Sequence, residues 1–234
     1  MIGQMMTFAN KFKGNFAEFR VYNRTLSDAE RNIVANHLAA RYGITMRDNL
    51  LYGGATDDCV LDVVGVGRTT ANSVVPNTSN EGSVTNSWSV HVAGNITVSE
   101  SSAGLTLAAA GTLANGDYVL AGHGVKANAW VPVTANMKRM KRAWHVTKTN
   151  AAALDLSLDF NLSDAGVALL DERERPAYKL VRSLDDGATW ADVNVVLTQT
   201  PGGFACILPA AEYAEGQYTL AADVLARGTM MFFR

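Results

Sequence analysis

Residues 153–160 read ALDLSLDF, a short run that reads as a β-strand. Comparable runs lie on either side: CVLDVVGV (59–66), SVTNSWSVHV (83–92), 104–108, DYVLA (117–121), 140–147, 177–183, 192–198, 203–208 and 217–222. Turn residues punctuate them at Gly53-Gly54, Asn80-Glu81-Gly82, Asn115-Gly116, Asp186-Gly187 and Pro201-Gly202-Gly203. Many short strands at this spacing predict a mainly β fold, an antiparallel β-sandwich built as one or two Greek-key-like units. Ser163-Asp164-Ala165 could hold a helical turn. A weak boundary near 123–136 is expected to divide the β region, 47–224, into halves.

Before this region the pattern changes. In NFAEFRVY (15–22), Phe16, Glu18, Arg20 and Tyr22 fall on one face and Ala17, Phe19 and Val21 on the other, which predicts a strand. A helix follows over 27–42. Ser27-Asp28-Ala29-Glu30 forms a capping box, Leu26 precedes the cap, and Arg41 stands in the last turn. Gly43 supplies a left-handed stop, and Ile33, Val34, Leu38 and Tyr42 make an apolar stripe.

A length of 234 residues suffices for a sound core, and 48% hydrophobic with 18% charged residues is a globular, weakly charged composition. The formal net charge of −2 gives no field for nucleic acid or an anionic membrane. Lys138-Arg139-Met140-Lys141-Arg142 forms the one basic run. On a strand its charges alternate between faces, as on a solvated or partner-facing edge. No stretch approaches the ~20 apolar residues of a membrane span. The start, MIGQMMTFANKFKGNF, lacks a signal-peptide pattern, so any export would be signalled by another piece. Cys59 and Cys206 each sit in an apolar run and are expected as buried free thiols rather than a disulfide.

The run FAEFRVYNRTLSDAERNIVANHLAARYGITM (16–46) resembles the closing strand and helix of a LamG-type, concanavalin A-like sandwich in bacterial surface proteins. The sequence after it is similar to the β-rich domain that often follows there. DVVGVGR (62–68), GDYVLAGHG (116–124), KRAWHVTKT (141–149), LDLSLDF (154–160) and EGQYTLA (215–221) carry that likeness. The resemblance implies an extracellular or cell-surface setting, often adhesive or rich in carbohydrate, and supplies no catalytic residues. A LamG-type sandwich has well over a hundred residues before its closing strand, whereas about fourteen stand before this one. The strand at 15–22 therefore lacks the sheet it would complete, and its backbone groups need another edge.

Of the motifs that could carry chemistry, the clearest is Ser183-Leu184-Asp185-Asp186-Gly187-Ala188-Thr189-Trp190. It fits the Asp-box pattern, in which Ser183, Asp185, Gly187, Thr189 and Trp190 build a structural hairpin turn. His37, His91, His123 and His145 stand singly, without metal-ligand spacing. Asp57-Asp58 and Asp185-Asp186 leave calcium as a possible ligand, though neither belongs to a calcium loop. No nucleophile elbow or dinucleotide fingerprint is present. Trp88, Trp130, Trp144 and Trp190 read as core before they read as a sugar platform.

These readings converge on a non-enzymatic structural or interaction protein with no catalytic, cofactor or metal residues assigned. Its expected interface is Phe16, Phe19, Val21 and Tyr22 of the 1–46 segment, with Met231, Phe232 and Phe233 of the apolar tail 225–234. The expected partners are copies of itself, joined by strand addition into filaments, or neighbouring domains of a surface protein. A carbohydrate-binding or adhesion module, with glycans as partners, is the alternative.

Overall fold

The apolar alternation around residue 156 places β8 (Leu156–Asn161) with its leucines and Phe160 buried and its Ser157 and Asp159 half-buried on the opposite face. A computed structural model describes residues 14–23, 26, 28–46, 50–54, 58–68, 88–89, 104–174 and 176–224. Before β8 come α1 (Asp28–Tyr42), β1 (Leu61–Gly67), β2 (Trp88–Ser89), β3 (Leu105–Ala109), β4 (Tyr118–His123), β5 (Trp130–Thr134), β6 (Met137–Met140) and β7 (Trp144–Thr149). After it come β9 (Ala177–Ser183), β10 (Ala191–Asp192), β11 (Thr198–Thr200), β12 (Gly203–Leu208) and β13 (Gly216–Asp223).

The strands form two antiparallel sheets, and the fold is a β-sandwich. The smaller runs β11-β12-β8-β3-β2, and the larger contains β1, β4, β5, β6, β7, β9, β10 and β13. Their inner faces meet in one core, where Val64, Val66, Val119, Ala121, Val146 and Leu220 oppose Leu105, Leu107, Leu156, Leu158 and Leu208. Trp144 and Phe160 meet edge to face there, ring centroids 5.6 Å apart.

In the large sheet one long hairpin is broken in the middle. β4 pairs β7 from Tyr118↔Thr149 to His123↔Trp144, and β5 pairs β6 from Trp130↔Met140 to Thr134↔Met137. Between the halves, one arm loops out over 124–129 and the other bends at 141–143. β13 runs along both halves of the second arm, Gly216↔Val146 on β7 and Ala221↔Arg139 on β6. The break is held by Arg142, whose side chain is buried. Its Nε donates to Val125 O (3.0 Å), and its guanidinium also donates to Lys126 O. The Arg142 amide donates to Asn128 Oδ1 (2.8 Å), and Thr219 Oγ1 donates to Arg142 O (2.7 Å).

The helix makes a third layer over β1 and β4. Ile33 and Ala40 pack with Tyr52, Val63, Tyr118 and Leu120 in a cluster separate from the main core. Asn32 Nδ2 donates to Tyr118 Oη (2.9 Å), and the Leu51 amide donates to Asn36 Oδ1 (2.7 Å). Gly43, at φ +62, closes the helix: its amide donates to Ala40 O and that of Ile44 to Ala39 O, the paired bonds of a Schellman stop.

Several expectations need correction. Residues 15–22 join no sheet among the described residues and are tied to α1 instead, where Tyr42 donates to Glu18. The expected strand 140–147 is two strands, since β13 and Arg142 impose the break. Of 192–198 only the ends pair, as β10 and β11. The boundary at 123–136 separates no halves, because β3 pairs β8 and β4 pairs β7 across it. Nor is the basic run an edge: β6 lies between β5 and β13. Tyr42, expected on the buried stripe, is exposed, while Asn36 and His37 take buried positions instead. Most of the expected strand 83–92, the Ser27 cap and the tail 225–234 lie outside the described residues.

Phe160 fills the centre of the main core and is almost wholly buried. Truncating it to Ala leaves a cavity that costs roughly 3–5 kcal/mol. Urea melts of Phe160→Ala against the parent are the check, with a loss of that size and an unchanged slope expected.

Candidate interaction surface

From Ala17 to Tyr22, segment 14–23 keeps the period-two division of its side chains without a sheet to set it, and Phe16 departs from that division. Glu18, Arg20 and Tyr22 are half-buried, while Phe16, Phe19 and Val21 are 58%, 61% and 75% exposed. Three apolar side chains are thus exposed on a segment held by its polar ones. Tyr42 Oη donates to Glu18 Oε2 (2.7 Å), Arg20 Nε donates to Glu18 Oε1, and Arg41 Nε lies 3.9 Å from Glu18 Oε2. Burial works to raise the Glu18 carboxyl. The hydrogen bonds from Tyr42 and Arg20 and the charges of Arg20 and Arg41 outweigh it and hold the group below its ordinary value. The bond to Glu18 in turn raises the Tyr42 phenol. This clamp brings the segment to the C-terminal end of α1, where Ile44 is also exposed.

Of the interface residues expected from sequence, Phe16, Phe19 and Val21 are all exposed. Tyr22 turns inward with Glu18 and Arg20, its hydroxyl buried without a hydrogen-bond partner. Met231, Phe232 and Phe233 lie outside the described residues.

The Asp-box turn is tied at every polar position. Ser183 Oγ donates to Asp185 Oδ1 (2.8 Å) and accepts from the Gly187 amide (2.8 Å). Thr189 donates through its hydroxyl to Asp185 Oδ2 (2.6 Å) and through its amide to Oδ1 (2.8 Å). Those bonds from Thr189, then that from Ser183, hold the Asp185 carboxyl down at about 2. Gly187 takes φ +86, and Trp190 Nε1 donates to its carbonyl (3.0 Å). The Arg139 guanidinium lies 4.3 Å from the centroid of the Trp190 ring. With both oxygens of Asp185 engaged inside the hairpin, its geometry is that of a structural turn.

The remaining candidates divide between core and surface. Trp144 is buried, and Trp130 donates to Ala168 O (2.7 Å) and packs on Tyr178. With Trp190 under Arg139, no two described tryptophan side chains form an open platform. His91 and Asp57 lie outside the described residues. His123 Nε2 meets Asp62 Oδ2 at 2.9 Å, both buried, and His145 Nε2 lies 3.5 Å from Glu215 Oε1 at the surface. Among the described residues no three His, Cys, Asp or Glu side chains converge as a metal site. Cys59 and Cys206 are free and buried, and burial pushes the Cys206 thiol up to about 11, leaving it protonated and unreactive at neutral pH.

A cleft of about 390 Å³ opens at the loops 110–117 and 150–155, lined by small residues with Thr112, Asn150, Asp117 and Asp155. Asp117 Oδ2 accepts from the Ala114 amide and Asp155 Oδ1 from the Ala210 amide, each at 2.7 Å, so both carboxylates fasten loops. Sequence reasoning missed the burial of His37 and Arg142. It also missed Asp62, which sits at φ +48 beside an irregular register between Leu61 and Val64. A polar residue among apolar neighbours is the signal the sequence carries for His37 and Asp62, whereas Arg142 stands in the basic run, which reads as solvated. No described helix is long and apolar enough to cross a membrane.

Comparison with protein families matches residues 30–203 to a domain of unknown function (DUF8202), and the chain belongs to that family. The match begins inside α1 and ends in β12. Neither the curated proteins nor the solved structures contain a match.

The Glu18 clamp generates a prediction. Glu18→Ala is expected to loosen segment 14–23, so that chymotrypsin cuts after Phe16 and Phe19 several times faster than in the parent. The melting temperature should move by less than about 2 °C, because no residue of the segment belongs to either buried apolar cluster. The parent should gain the same sensitivity only in acid: the Glu18 value is lowered, so the tie is complete above the ordinary carboxylate range and fails as pH falls through that lowered value.

Proposed function

For this family member we propose a non-enzymatic structural or interaction role at a surface outside the cell, in which segment 14–23 joins the chain to copies of itself. The supporting observation is the exposure of Phe16, Phe19 and Val21, carried on a segment that has no sheet partner among the described residues. Solvent exposure of three apolar side chains this near in sequence is unfavourable by tens of calories per Å², and contact with a partner removes it. The segment's period-two pattern suits addition to a sheet edge, where main-chain bonds give affinity and alternate side chains enter pockets. Its inward side chains are clamped to α1, which reduces the entropy lost on binding. The extracellular setting follows from the likeness of 16–46 to a LamG-type ending. A glycan-binding module is the alternative, which the burial of Trp144 and the engagement of the half-buried Trp130 and Trp190 with Tyr178 and Arg139 do not favour.

Analytical ultracentrifugation with electron microscopy tests the proposal. Large oligomers or fibres are expected from the parent chain, and a shift to monomer from the double variant Phe19→Asp, Val21→Asp, with an unchanged melting temperature. A parent that sediments as a monomer at its highest soluble concentration refutes self-assembly through this segment.

A further inference from the structure

We propose that α1, with segment 14–23 clamped to it, is an acid-released cover over the outer face of the large sheet, and that His37 is its trigger. His37 sits where α1 meets β1 and segment 14–23, wholly buried, with neither ring nitrogen hydrogen-bonded among the described residues. A neutral imidazole tolerates such a place, but an imidazolium is left with two donors and no acceptor. The charged groups around it do not rescue the cation. Arg20 of the segment and Arg41 of α1 oppose it, while Asp62 of β1 and Glu18 of the segment favour it. Both carboxylates are already engaged, Asp62 by His123 of β4 and Glu18 by Arg20 and Tyr42.

The consequence of protonation is local because of how the apolar residues are divided. The helix rests on Tyr52, Val63, Tyr118 and Leu120 through Ile33 and Ala40, a cluster outside the core that joins the two sheets. Lifting α1 uncovers that patch and leaves the sandwich closed, an opening of one layer rather than unfolding.

The sign follows from linkage. Burial first, then Arg20 and Arg41, hold the folded-state value of His37 at about 4, against 6.5 when released. The cover is therefore fully held above pH 6.5 and weakens as pH falls from 6.5 towards 4. Between pH 7 and pH 4.5 the opening constant rises roughly 50-fold.

Hydrogen–deuterium exchange, corrected for intrinsic rates, tests this on the full chain at pH 7 and pH 4.5. Protection of residues 28–42 should fall at least tenfold in acid while 144–149 and 216–223 keep theirs. His37→Leu should hold the helix equally well at both pH values. The proposal is overturned if helix protection in the parent does not change, if it falls together with the strands, or if it falls as far in His37→Leu. Should His37→Leu fail to fold, His37→Gln takes its place. An NMR titration placing His37 of the parent above pH 6 would also overturn the idea. None of these readings depends on whether the chain self-assembles.

Discussion

Strand β13 meets two partners along one edge, and the large sheet is arranged around that demand. Its first half lies on β7 and its second on β6, while β9 covers the whole of its other edge. The arm 137–149 has to break to meet this requirement, and a break inside a sandwich leaves backbone groups without ladder partners. Arg142 answers at that point with its guanidinium, amide and carbonyl, bonded to Val125, Lys126, Asn128 and Thr219. A buried guanidinium carries a heavy desolvation cost, offset here by charge-assisted bonds to carbonyls. An apolar residue of similar bulk would fill the space and leave those carbonyls unmet.

The large sheet is buried on both faces over β1 and β4, and the two sides differ in kind. Inward, aliphatic side chains and the Trp144–Phe160 pair make a dry, contiguous core. Outward, the helix contributes a thin apolar contact interspersed with Asn32, Asn36 and His37. That polar content explains why the helix has a weak apolar stripe in sequence yet is fixed in place: amide side chains bond it to Tyr118 and to the chain at Leu51. Segment 14–23 then lies on the helix as a further layer, polar side down and apolar side out.

Much of this architecture was legible in the sequence, for physical reasons. Strands such as β8, β9 and β12 alternate or run apolar between glycine-bearing turns, and Gly43 marks a helix end that only a left-handed residue makes cheaply. The Asp-box turn was legible because its hydrogen bonds are local, within a few residues of Asp185. What stayed hidden is set by contacts far apart in the chain. The break at 141–143 accompanies the pairing of β13 with both β6 and β7, and segment 15–22 is tied to Tyr42 of the helix rather than to a strand. Apolar periodicity reports which faces are covered, not which edges are available. The outward direction of Phe19 and Val21 and the inward turn of Tyr22 were legible as alternation, whereas the exposure of Phe16, which alternates with Glu18, was not.

The central position of β13 also bears on how the chain acquires its fold. The broken hairpin 118–149 is built from neighbours in sequence, but the bond between Thr219 and Arg142 spans 77 positions. Loop-closure entropy makes such a joining slow, and on the ribosome residues 216–223 emerge after every other described strand. Until they arrive, the facing edges of β9 and of β6–β7 stand open as templates for a stranger's strand. The large sheet is therefore completed from the middle, by the latest of its described strands, and its greatest exposure to mispairing falls between the emergence of β9 and that of β13.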